Sequence, residues 1–133
     1  MVNRKAVGKR GEDFACQLLR AKGYRILERN YRCRSGEIDI IAAQGECLVF
    51  CEVRTRTSCG PILPEETVDR CKQSRLVRAS RHYLQGLQRR GNELKPCRFD
   101  VITLTYDGSR AKVKHIMDAF SEADVCGDVP GAV

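Results

Sequence analysis

The chain has 133 residues, 24 Lys and Arg against 17 Asp and Glu, a formal net charge of +7 and 42% hydrophobic residues. That length predicts one domain whose core needs no staples, and the positive balance makes a polyanion the expected partner, ahead of an anionic membrane surface. No run reaches the length of a transmembrane span and the first residues lack the apolar stretch of a signal peptide, so no membrane is expected and the cytoplasm is the expected location.

Residues 3 to 22 read as a helix, with Val7, Phe14, Ala15, Leu18 and Leu19 as its apolar stripe and Gly23 as its stop. Glu12 falls at the edge of that stripe, where it either follows the seam between helix and sheet or faces water as an ordinary surface acid. Tyr24 to Cys33 reads as a first strand. From residue 1 to 34 there are ten Lys and Arg against three Asp and Glu, the first half of a basic surface.

The stretch from Gly36 to Arg56 organises the rest. It reads as two apolar strands, Glu37 to Ala43 and Glu46 to Arg54, joined by a Gln44-Gly45 turn. That turn pairs Ile41 with Leu48, Asp39 with Phe50 and Glu37 with Glu52. Alternation then puts Glu37, Asp39, Glu52 and Arg54 on one face at the open end. Like charges that close destabilise a sheet, so a neighbouring Lys or Arg, or a divalent cation, is expected between them. Oxygen-only donors suit Mg²⁺ or Mn²⁺. Solvent-facing strand ends neutralised by Arg54 and Arg56 are the plainer alternative, but both faces of Leu48 to Cys51 are apolar, as in a buried central strand.

Thr57 to Pro64 reads as a loop bordering that strand end. A second helix is expected from near Glu65 to about Arg90, with Val68, Cys71, Leu76, Ala79, Tyr83 and Leu87 as its apolar line. Lys72 falls within this stripe, so it either snorkels out or meets a buried acid. Arg70, Arg75, Arg78, Arg81, Arg89 and Arg90 make a one-sign outer face, which favours phosphate binding. Arg98 to Thr105 and Lys112 to Met117 follow as strands, separated by an Asp107-Gly108 turn. The strand-helix-strand order implies a right-handed crossover with parallel pairing inside a mixed sheet. The domain is expected over 1–120, with 121–133 as an acidic tail.

Eight cysteines, at 16, 33, 47, 51, 59, 71, 97 and 126, include no C-x-x-C, and His82 and His115 stand at no zinc-finger spacing. Reduced thiols that fill the core as small hydrophobes are expected.

The order helix, three strands, helix, strand, with Asp39 and the Glu52-x-Arg54 pattern, resembles the PD-(D/E)XK nuclease fold. More closely, residues 3 to 117 resemble the YraN family of bacterial endonuclease-like proteins, related to archaeal Holliday-junction resolvases. The matching pieces are Gly11-Glu12, Gly23-Tyr24, Asn30, Gly36 to Asp39, Phe50 to Arg54, Lys72 and Arg98 to Asp100. The resemblance implies an α/β fold with a restriction-endonuclease-like αβββαβ core, a mixed central sheet flanked by helices. It implies a metal-dependent endonuclease acting on branched or structured DNA, with Mg²⁺ or Mn²⁺ held by Asp39, Glu52 and Glu12.

Arg54 stands where the motif lysine is normal. Arginine neutralises charge but makes a poor general base. Either Lys72 supplies the missing amine, or the site binds nucleic acid without cutting it. Arg34, Arg56, Arg70, Arg75 and Arg78 are expected along the nucleic-acid backbone. Resolvase relatives act as dimers on two-fold junctions, so a homodimer is the expectation.

Overall fold

The computed structural model describes residues 4–56, 70–107 and 110–122. In chain order the elements are α1 (Arg4–Ala21), β1 (Arg25–Cys33), β2 (Gly36–Gln44), β3 (Cys47–Arg56), α2 (Arg70–Arg89), β4 (Cys97–Asp107) and β5 (Arg110–Phe120). The strands form one sheet in the order β1-β2-β3-β4-β5, in which β3 and β4 run parallel and every other pair antiparallel. Parallel neighbours cannot be joined by a hairpin, and α2 lies in the crossover between them. This is the mixed α/β sheet with two helices that the element order predicts.

The two faces of the sheet bury separate cores. On one, Ala15, Cys16 and Leu19 of α1 pack over Ile40, Ala42, Val49, Cys51 and Ile102. On the other, Leu76, Val77, Ala79 and Tyr83 of α2 cover Ile38, Ile41, Leu48, Phe50, Phe99 and Val101. An aromatic row ties the second core together: Tyr31 to Tyr83 at 5.3 Å, Tyr83 to Phe50 at 6.1 Å, Phe50 to Phe99 at 5.7 Å and Phe99 to Phe120 at 5.0 Å between ring centroids.

The expected helix stripes hold for Ala15 and Leu19 on α1 and for Leu76, Ala79 and Tyr83 on α2, and depart at their edges. On α1, Gly11, Ala15, Cys16 and Leu19 are buried while Phe14 is 40% exposed. Small residues let α1 lie close to the sheet: a Cβ on Gly11 would stand 2.6 Å from Thr55 Oγ1 and 3.2 Å from Leu104 Cδ1. On α2, Cys71 and Lys72 are exposed and Val77 and Ser80 are buried instead. Ser80 is tolerated inside because its hydroxyl donates to Val77 O at 2.7 Å. The expected helix start near Glu65, Val68 of its stripe, the Thr57 to Pro64 loop and the Gly108 turn all lie outside the described residues.

Gly23, at φ 91°, ends α1 as expected. Its N–H donates to Arg20 O at 3.0 Å and the Tyr24 N–H to Leu19 O at 2.9 Å, the double closure that left-handed glycine allows. At the other end of the chain, β5 runs past Asp118 to Phe120, which is 6% exposed, and Glu122 pairs with Arg81. Asp118 to Glu122 are therefore held to the domain, and the rest of the expected acidic tail lies outside the described residues. The six described cysteines are free thiols; Cys16 and Cys51 are buried as core fillers, whereas Cys71 and Cys97 are exposed. No helix among the described residues is long and apolar enough to cross a membrane.

Candidate functional site

The β2–β3 turn is Gly45-Glu46 rather than Gln44-Gly45: Gln44 pairs with Cys47, Ile41 with Phe50 and Ile40 with Cys51. Gly45, at φ 58°, takes the first turn position. The correction moves the register by two residues, which keeps every side chain on its face but changes who meets whom. The last ladder pair is Ile40 with Cys51, so the next step brings Asp39 level with Glu52. Glu37, expected opposite Glu52, pairs instead with Arg32 on β1 and bonds it at 3.5 Å.

The ladder stops at Asp39 for a visible reason. Ile38 sits in the core under α2 and Ile40 in the core under α1, although two residues apart they should share a face. Alternation is broken at Asp39. On the facing strand, between the pairs Arg29 with Ile40 and Tyr31 with Ile38, Asn30 adopts a left-handed φ of 52°. Sequence reasoning gave Asn30 no role, and no periodicity argument could have found this coordinated break.

Released from the ladder, Asp39 Oδ2 accepts the Val53 N–H at 2.8 Å, and its carboxyl hydrogen-bonds that of Glu52. Burial and the Asp39 charge push Glu52 up to about 8, against the pull of Lys72 and Arg54. Burial raises Asp39 as well, with Glu37 adding to it, while Val53, Glu52 and Lys72 hold it down. Burial and mutual repulsion thus favour a proton shared between the two carboxyls over a doubly ionised pair. That shared proton stands between two oxygens where a divalent cation would otherwise neutralise them.

Glu12 approaches Asp39 from α1. Its carboxyl is raised by burial and by the Asp39 charge, and lowered by a hydrogen bond with Asn30 and by Arg29. Arg29 reaches Glu12 at 3.8 Å and Asp13 at 2.7 Å. Glu12 therefore follows the seam between helix and sheet, anchored to β1. Among the described residues no three His, Cys, Asp or Glu side chains stand close enough together to form a ready-made metal cage. Two carboxylates with a third in electrostatic reach fit Mg²⁺ or Mn²⁺, which complete their octahedra with water and phosphate. They do not fit zinc, which favours His and Cys donors.

A cleft of about 500 Å³ opens beside Glu52, lined by Arg32, Arg34 and Glu37 from the β1–β2 region and by Lys72 and Arg75 from α2. Gly36 makes this junction possible, since a Cβ there would stand 2.6 Å from the Arg75 backbone oxygen. Lys72 is exposed rather than core-facing, but its charge acts on both Asp39 and Glu52. Of the five arginines expected along a nucleic acid, Arg34 and Arg75 line the cleft. Arg70 and Arg78 are exposed on α2, and Arg56 ends β3. Arg32, not among those five, also lines the cleft.

A second polar centre lies on the α1 face. Asp100, fully buried, accepts Arg98 Nε at 2.8 Å and Nη2 at 2.9 Å, His115 Nε2 at 2.7 Å and the Asp118 N–H at 3.0 Å. Arg98 also donates to Tyr24 Oη at 2.7 Å and Gln44 Oε1 at 2.9 Å. Lys22 Nζ lies 2.9 Å from His115 Nδ1 and can only donate, so Nδ1 accepts and Nε2 carries the hydrogen towards Asp100. Burial would raise Asp100, but the bonds from His115, Arg98 and Asp118 outweigh it and hold the carboxyl below its ordinary value. Every member has a partner inside the fold, which marks a structural clasp joining the α1–β1 connection, β2, β4 and β5.

A family model for "Uncharacterised protein family UPF0102" matches residues 11–104, a span that contains Glu12, Asp39, Glu52, Arg54 and Lys72. A UPF0102 protein from Moorella thermoacetica is 49% identical over 121 residues, covering 90% of this chain and 98% of the relative. One from Geobacter metallireducens is 42% identical over 125 residues, covering 92% and 98%. One from Caldanaerobacter subterraneus is 43% identical over 122 residues, covering 90% and 98%.

Proposed function

The chain belongs to uncharacterised protein family UPF0102, the YraN family, and for this member we propose metal-dependent hydrolysis of phosphodiester bonds in branched or structured DNA. The observation that carries the reading is the Asp39–Glu52 contact at the end of the β2–β3 ladder, beside a cleft walled by arginine and lysine. The αβββαβ order of the first six elements supports a restriction-endonuclease-like core.

Asp39 and Glu52 would hold Mg²⁺ or Mn²⁺, with Glu12 contributing from α1. When bound, the cation would polarise a scissile phosphate and make water more acidic. The protein's own residues supply the rest. The Val53 N–H fixes one Asp39 oxygen and so orients the other. Lys72, beside the pair but exposed, can orient water or offset charge on the phosphate, and Arg54 adds a permanent positive charge. Arg32, Arg34 and Arg75 line the approach and hold backbone phosphates without reading bases, with Arg56, Arg70 and Arg78 extending the basic surface. A homodimer would present two such sites to a two-fold junction.

Arg54 favours a second reading, a nucleic-acid-binding module that does not cut, because arginine stays protonated and cannot serve as base. Purified protein incubated with labelled four-way junction, flap and linear DNA in Mg²⁺ or Mn²⁺ separates the two. Cleavage by wild type that is lost in Asp39→Ala and Glu52→Gln is the expected result. If wild type and Asp39→Ala bind DNA alike and neither cuts any substrate in either metal, the enzyme reading fails and the binding module stands.

A further inference from the structure

The register of the parallel half of the sheet places residues together that are far apart in sequence. Arg54 pairs with Thr103 and Thr103 with Lys114; Arg56 pairs with Thr105 and Thr105 with Lys112. Directly paired residues on neighbouring strands point to the same side, so these make two parallel rungs, each Arg-Thr-Lys, across β3, β4 and β5. The preceding rung is Glu52, Val101 and Ile116. The α2-side face therefore changes character within one step, from the apolar core to a cationic strip that starts beside the acid pair and ends at the sheet edge.

We propose that these two rungs form a track for the phosphate backbone of nucleic acid, running from the Asp39–Glu52 pair across β4 to Lys112 and Lys114 on β5. The inference rests on the nuclease reading of that pair and adds where the strand flanking the reacting phosphate lies. Neither rung contains an acid. The rungs are about 6.6 Å apart along the strands and each spans about 10 Å from β3 to β5, so a backbone that crosses the strands meets an arginine on β3 and then a lysine on β5. Lys112 and Lys114 are exposed, on a strand that among the described residues pairs with β4 alone. Between the cations lie Thr103 and Thr105, 2% and 6% exposed, whose buried hydroxyls have no hydrogen-bond partner among the described residues.

The rival explanation for lysines on an edge strand is that they block edge-to-edge pairing. A charge reversal separates the two, because glutamate blocks pairing as well as lysine does but repels phosphate. Fluorescence anisotropy of a labelled duplex oligonucleotide and its single strand, measured across a salt series in EDTA, would compare wild type, K112E/K114E and R89E/R90E. The last makes the same charge change at the far end of α2. The expected result is at least tenfold weaker binding by K112E/K114E at low salt, and a salt slope reduced by about 2, with a smaller loss in R89E/R90E. Unchanged melting temperatures would show the variants are folded; if K112E/K114E does not fold, K112Q/K114Q takes its place, with a smaller loss expected. If wild type binds with a steep salt slope and K112E/K114E matches it, or if R89E/R90E loses as much, the track is wrong and the nuclease reading is untouched. If wild type shows no salt-dependent binding to either probe, both fall.

Discussion

Val53 gives its N–H to Asp39 Oδ2 at 2.8 Å, across strands whose backbone ladder has already ended one residue earlier. The side chain continues the strand pairing in place of the main chain, and this holds one acid rigidly against another. A site built in this way carries an electrostatic cost that the fold must absorb, and that cost can be measured.

The first consequence is a pH dependence of stability without metal. Glu52, raised to about 8 in the fold from an ordinary 4.5, favours the protonated folded form. Its contribution is fully present below about 4.5 and is lost as pH rises through about 8, with Asp39 shifted in the same direction. Thermal melts in EDTA should fall by several degrees between pH 5.5 and 8.5, on the order of 1–3 kcal/mol because water partly screens the pair. Glu52→Gln cannot ionise and should flatten that slope and melt higher than wild type at pH 8.5.

Cation binding should act in the opposite sense. Mg²⁺ or Mn²⁺ must displace the shared proton, so either should raise the melting temperature more at pH 8 than at pH 6. The shift should vanish in Asp39→Ala. A shift that survives that substitution would locate the cation elsewhere.

Lys72 should separate binding from cutting. Lys72→Ala is expected to reduce cleavage at least tenfold while DNA affinity changes by a few-fold at most. Because Lys72 pulls both acids down, its loss should also move the pH profile of cleavage upwards. Equal losses in binding and cleavage would reduce Lys72 to one more phosphate contact.

Asp100→Asn should cost about 3–5 kcal/mol, since it leaves Arg98 facing a neutral amide inside the fold. Chemical denaturation measures this directly. The wild-type carboxyl is held low, so its contribution is present above about 3.9 and is lost as pH falls through its lowered folded value. Acid unfolding of Asp100→Asn should lack that component.

Two glycines should respond in opposite directions to alanine. Gly36→Ala drives a Cβ to 2.6 Å from the Arg75 backbone oxygen, prising the β1–β2 turn off α2 at a cost of about 1–3 kcal/mol and weakening DNA binding through Arg34 and Arg75. Gly86, inside α2, meets nothing nearer than Arg90 Nη2 at 3.7 Å, so Gly86→Ala should stabilise by about 0.5–1 kcal/mol. Paired urea titrations would show both signs.

Much of this arrangement is local and therefore legible without coordinates. The hairpin pattern is enough to place Asp39 and Glu52 at one end of adjacent strands, and it survives a misplaced turn because a register error of two residues changes no face; the face of Ile38, beyond the break at Asp39, is not legible that way. The Gly23 helix stop and the parallel pairing of β3 with β4 likewise follow from backbone sterics and chain connectivity. What sequence could not decide depends on contacts between distant segments. The coordinated break at Asn30 and Asp39, the burial of Cys16, Val77 and Ser80 beside the expected helix stripes, and the Asp100 clasp across the α1–β1 connection, β2, β4 and β5 have no local signature. Lys112 and Lys114 look like ordinary surface lysines until strand order sets them in line with Arg56 and Arg54. Pairing across the sheet is settled by packing of whole elements, and only the folded chain carries that information.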